Sequence, residues 1–138
     1  MTGVQTCALP IYEKHKVLTY PRTDSRALPE DYIGTVKSTL GMLRGEKGRR
    51  GARGSESALI AGYAPHAERV LKEGWVRPNK RVFNNEKVSD HFAIIPTLQA
   101  PKHLTEAEAK LYDLVTKRFL AVFFPSAEYL VTTRITRV

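Results

Sequence analysis

The stretch Thr105–Pro125 constrains the fold of this chain more than any other. Thr105-Glu-Ala-Glu108 sets a hydroxyl and a carboxylate at capping-box spacing, which satisfies the free N–H groups at a helix start. Leu111, Leu114, Val115, Phe119 and Val122 then recur on one stripe, and Pro125 closes the run. A helix with one apolar stripe needs partners to bury it. Pro29-Glu-Asp31 in a first turn, followed by Ile33, Val36, Leu40 and Leu43, predicts a helix ending near Gly41–Gly45, with Asp24 and Ser25 as possible caps. Ser55–Ala61 and Ala64–Gly74 read as two short helices, Gly74 closing the second. Tyr12–Lys16 reads as the end of a helix. The β signals are shorter. Val17-Leu-Thr-Tyr20 is a β-prone run ended by Pro21, and Arg81–Val88 reads as a small hairpin with an Asn-Asn turn. Glu128–Val138 alternates like a strand. A mainly α unit over 12–125 and the start of a β-rich region over 126–138 are therefore expected, with no internal repeat.

The 138 residues, 42% hydrophobic and 26% charged, suffice for a real core and exclude a disordered chain. The longest apolar run, Phe119–Phe124, is too short to cross a membrane. Lys and Arg total 22 against 14 Asp and Glu, and the net charge of +8 favours polyanionic partners, nucleic acid ahead of an anionic membrane surface. The single cysteine, Cys7, excludes a disulfide framework or multi-cysteine zinc site within the chain. The Gly- and Arg-rich stretch 45–54 reads as a surface loop that solvates its charges or meets DNA phosphates. Residues 1–11 carry no charge and lack the basic start and long apolar centre of a signal peptide. Thr2–Ile11 coincides with the in-frame translation of a common short-read sequencing adaptor. Residues 1–11 are therefore set apart as an adaptor-derived tail, Cys7 included, with the natural sequence entering at Tyr12 and its beginning lying upstream.

Two segments carry candidate chemistry. In Leu18-Thr-Tyr-Pro-Arg-Thr-Asp-Ser25 a tyrosine sits at a proline turn, with Arg22 and Asp24 close behind. A phenol, of ordinary pKa about 10, is a poor nucleophile unless a neighbouring cation steadies its oxygen. On spacing alone such a triplet is usually a turn. In Val88-Ser-Asp-His-Phe-Ala-Ile-Ile-Pro-Thr97, His91 precedes an apolar run. A histidine there is ordinarily structural, yet an imidazole can also donate to a phosphate oxygen.

Together the two segments are specific. Tyr12-Glu-Lys-His-Lys-Val-Leu-Thr-Tyr-Pro-Arg-Thr-Asp-Ser25 closely resembles the active-site segment of type IA DNA topoisomerases, and Ser89-Asp-His-Phe-Ala-Ile-Ile-Pro-Thr97 resembles the family's second motif. Pro21 and the Ile-Ile-Pro-Thr ending are similar to the bacterial topoisomerase III branch, as are Lys80–Phe83 and Leu111–Pro125. The resemblance spans 12–138 apart from the Gly-Arg loop. It implies a helix-rich, winged-helix-like (CAP-like) tyrosine-bearing domain, followed by the first strand of a β-rich arch domain. It implies that Tyr20 is the nucleophile, forming a 5′-phosphotyrosyl link without ATP. Arg22 would position the scissile phosphate, His91 would contact the same phosphate, and Asp24 would orient neighbours. Phe92 stands where many relatives carry a second histidine. The implied partner is DNA, mainly single-stranded, in the cytoplasm and not at a membrane. The implied Mg²⁺ belongs to a Toprim domain outside this chain, so no metal site is expected here and the chain alone is expected to be inactive.

Two other readings compete: a non-catalytic basic winged-helix DNA-binding module, and a different tyrosine enzyme such as a recombinase or relaxase. The second would need further Arg or His clusters near the tyrosine.

Overall fold

The computed structural model describes residues 3–45 and 55–137. The elements are α1 (Gly3–Glu13), a 3-10 turn (Glu30–Tyr32), α2 (Ile33–Leu43), α3 (Ser55–Lys72), a second 3-10 turn (Asn85–Lys87) and α4 (Glu106–Ala121). Helix α3 packs on α2 and α4, and α1 packs on α4. The chain is mainly α, as expected. Most of the Gly-Arg loop, residues 46–54, lies outside the described residues.

Helix α4 starts on the expected capping box. The Thr105 hydroxyl accepts from the Glu108 N–H at 3.3 Å, and the Glu108 carboxylate accepts from the Thr105 N–H at 2.9 Å. The same carboxylate lies 3.1 Å from His15 Nε2, joining the end of α1 to the start of α4. The Thr105 N–H bond and then the nearby His15 hold the Glu108 carboxyl below its ordinary value, against the opposing effect of burial.

The buried stripe of α4 is rotated from the expected one. Tyr112, Thr116, Phe119 and Leu120 face the core, and Phe123 follows them. Leu114 is 66% exposed and Val122 46% exposed. Phe119 lies on both possible stripes, and the line carrying Tyr112 and Phe123 removes more apolar area from water, so it turns inward. Leu111 and Val115 pack at its margin.

Helix α2 follows its sequence signals, burying Val36, Leu40 and Leu43 and ending before Gly45, whose φ of 90° is left-handed. Asp24 and Ser25 do not cap it. The Ser25 hydroxyl donates instead to the Lys87 carbonyl at 2.7 Å. The two short helices expected over 55–74 are one helix, α3, with Pro65 inside it. Burial of Tyr63, Ala67 and Val70 on either side carries the helix through the proline. Gly74, at φ 64°, closes α3 as expected: its N–H donates to the Leu71 carbonyl, and that of Trp75 to Val70.

The hairpin expected over 81–88 does not form. The Asn84 side chain accepts from the Glu86 N–H at 3.0 Å and folds the segment into a 3-10 turn. Phe83 forms an isolated parallel bridge with Leu28. Residues 126–137 are exposed and form no strand with the described residues, leaving Tyr129 and Leu130 in solvent. At the other end, residues 3–11 make up most of α1, and Ile11 is fully buried in the common core.

Candidate nucleophile site

The chain leaves α1 through Lys16 in a left-handed conformation, φ 54°. This turn carries Val17–Thr19 alongside Ile95–Thr97. Leu18 bridges Pro96 in antiparallel fashion, the Thr19 N–H donates to the Ile95 carbonyl at 3.0 Å, and the Thr97 N–H to the Val17 carbonyl at 2.9 Å. The β-prone run before Tyr20 therefore pairs with the end of the second motif.

Side chains extend the seam. The Thr19 hydroxyl donates to the Ala93 carbonyl at 3.1 Å and accepts from the Ile95 N–H at 2.9 Å. The Thr23 hydroxyl donates to the His91 carbonyl at 3.1 Å and accepts from the Ser25 N–H. The Ala93 N–H reaches the Ala27 carbonyl at 3.0 Å. The loop from Tyr20 to Arg26 is thus fastened at both ends against 87–95.

This arrangement sets the half-buried Tyr20 ring on the exposed His91 imidazole, with centroids 4.1 Å apart and planes 29° from parallel. Tyr12, on the last turn of α1, meets Tyr20 edge-on at 5.3 Å. Arg22 and Asp24 lie on the same loop, exposed and without an ion pair to any described residue. Of the four residues singled out in the sequence, the structure brings Tyr20 and His91 into contact. Arg22 and Asp24 share their loop, with no hydrogen bond or ion pair to either among the described residues. Phe92 turns inward against Tyr32, centroids 4.8 Å apart, and serves packing.

The supporting residues Tyr12, Thr19 and Thr23 were not singled out by the sequence. Threonine on either side of a candidate nucleophile was the available signal, but its meaning depends on the segment paired opposite. Among the described residues no three His, Cys, Asp or Glu side chains converge as metal ligands. No helix among the described residues is long and apolar enough to cross a membrane.

The site is thus a phenol stacked on an imidazole, in a helix-rich chain of net charge +8. The family model described as DNA topoisomerase matches residues 2–138. The chain is 47% identical over 121 residues to DNA topoisomerase 3 of Bacillus licheniformis, covering 86% of this chain and 14% of that protein. It is 43% identical over 130 residues to the Bacillus cereus protein of the same name, covering 93% and 16%. To that of Bacillus subtilis it is 41% identical over 121 residues, covering 86% and 14%. The chain belongs to the type IA DNA topoisomerase family, and it spans only 14% to 16% of the length of these relatives.

Proposed function

We propose that the chain is the tyrosine-bearing part of a topoisomerase III that opens one DNA strand through Tyr20. The observation that carries this reading is the Tyr20–His91 pair, built from two segments far apart in sequence. In the proposed step the Tyr20 phenolic oxygen attacks a backbone phosphorus. A phosphorus–oxygen bond to Tyr20 forms and the bond to the 3′ oxygen breaks. The phenol loses its proton and the departing 3′ oxygen takes one up. One phosphodiester is exchanged for another, so resealing is the reverse attack by the 3′-hydroxyl and needs no ATP. His91, at the edge of the stacked pair, is suited to donate to a non-bridging phosphate oxygen. Arg22, exposed on the same loop, is free to offer its guanidinium to the charge that develops there. Asp24 we assign to orienting that loop once DNA is bound.

Mg²⁺ chemistry in the parent enzyme is assigned to acids outside these 138 residues, and no step above passes through it. The exposed segment 126–137 is consistent with a first strand that finds its partner in a following β-rich domain. We read the helical part as winged-helix-like, the substrate as mainly single-stranded DNA, and the setting as the cytoplasm, at the nucleoid. Residues 1–11 we read as adaptor-derived: α1 carries no charge before Glu13 and holds Pro10 in its interior, where proline is unfavourable. A longer sequencing read across codon 12 checks this, and an unchanged upstream sequence would refute it.

The functional reading is tested in the full-length enzyme carrying this chain. Tyr20→Phe should abolish the covalent protein–DNA adduct and leave single-stranded DNA binding intact. An adduct that survives the substitution removes Tyr20 from the role. The 138-residue chain by itself should bind single-stranded DNA with strong salt dependence and relax no supercoils. Relaxation by it alone would overturn the assignment of missing machinery.

A further inference from the structure

We propose that Thr19 is a positioning residue for the Tyr20 reaction, because its hydroxyl replaces the backbone rungs that would otherwise hold the nucleophile against His91. The inference rests on the functional reading above.

The antiparallel register explains the need. Val17 stands opposite Thr97 and Thr19 opposite Ile95, so the next bonded pair in the ladder would be Pro21 with Ala93. Proline has no N–H, and that rung cannot form. The Ala93 carbonyl would be left without its donor where the chain turns to present Tyr20. The Thr19 hydroxyl donates to it at 3.1 Å. The same oxygen accepts from the Ile95 N–H at 2.9 Å, in place of the Thr19 carbonyl that a regular ladder would use.

The pairing therefore stops at Tyr20 without fraying. One side chain holds both ends of the span 93–95, just after His91, and releases the backbone beyond Thr19 to turn. Thr23 fastens the far side of the loop to the His91 carbonyl. Tyr20 and Arg22 lie between the two threonines, and Tyr12 meets the Tyr20 ring edge-on. The distance between the phenol and the imidazole is set by these few bonds across a separation of 74 residues in sequence.

Valine matches threonine in shape and removes only the hydroxyl, and serine restores it. In the full-length enzyme, Thr19→Val should slow single-turnover cleavage of a single-stranded oligonucleotide about 100-fold while its Kd changes less than about twofold, as expected when a reacting group is misplaced but binding survives. Thr19→Ser should recover most of the rate. Wild-type cleavage by Thr19→Val would overturn the proposal. So would equal slowing by Thr19→Ser, which would assign the effect to methyl packing, or a loss of binding in step with cleavage, which would assign it to general disruption. Thr23→Val, which cuts the bond to the His91 carbonyl at the loop's exposed end, carries the same test with the same readouts should Thr19→Val not fold. Adduct formation by Tyr20→Phe defeats the functional reading itself. Adduct loss in Tyr20→Phe with an unaffected Thr19→Val defeats the positioning role alone.

Discussion

Helices α2, α3 and α4 hold together through buried apolar side chains, whereas the Tyr20 loop is held by hydroxyls and backbone amides. The first region gathers Val36, Leu40, Tyr63, Val70, Tyr112 and Phe119 into a single core. Such packing is non-directional and spreads its free energy over many contacts. The second depends on a few oriented bonds, chiefly those of Thr19, Thr23 and Ser25. Losing one contact in the core lowers stability everywhere. Losing one bond at the seam is expected to displace a side chain more than it lowers stability. Geometry at a reacting group is better set by directional bonds, which fail with small displacements, than by apolar contacts, which tolerate them.

The contrast can be broken first in the core. Leu40 is fully buried, and Leu40→Ala should cost about 2–5 kcal/mol, measured by chemical denaturation. A loss below about 1 kcal/mol would mean that the core rearranges around this site or depends on it less than its burial indicates. A smaller effect is expected at the start of a helix. Thr105→Ala, which removes the side-chain half of the capping box, should cost about 1 kcal/mol. The other half of the box should carry a pH signature through Glu108, whose carboxyl accepts from the Thr105 N–H and is held below its ordinary value of 4.5. Its stabilising contribution is complete above that value and is lost as the pH falls through the lowered folded value. Denaturation midpoints of the wild type and Glu108→Gln should therefore converge in acid, and a constant separation would remove the carboxylate from the account. The smallest effect belongs to the outer face of α4. Leu114→Gln should change stability by less than about 0.5 kcal/mol. A core-sized loss would restore the stripe expected from sequence and contradict the observed rotation of the helix.

The legible parts of the sequence were those governed by nearest neighbours. The capping box at Thr105, the left-handed Gly74 and the end of α2 before Gly45 all depend on residues within one or two turns. The Asn-Asn pair misled because asparagine serves a hairpin turn and a 3-10 cap equally well, and Asn84 had a nearby N–H to accept. Pro65 misled in the opposite direction, since the apolar residues flanking it outweigh its local cost. At the site, Tyr20 and His91 were legible as members of two motifs. Their stacking, and the parts played by Tyr12 and Thr19, were not.

The sequence by itself determined where α4 starts and where α2 and α3 stop, the basic balance of +8 and the chemical types at the candidate site. The tertiary structure decided which stripe of α4 turned inward, because two apolar lines share Phe119 and only packing against the other helices chooses between them. It also decided that Tyr20 meets His91. Pairing between distant segments is set by the register of their backbones, and here Pro21 ends that ladder while the Thr19 hydroxyl completes it.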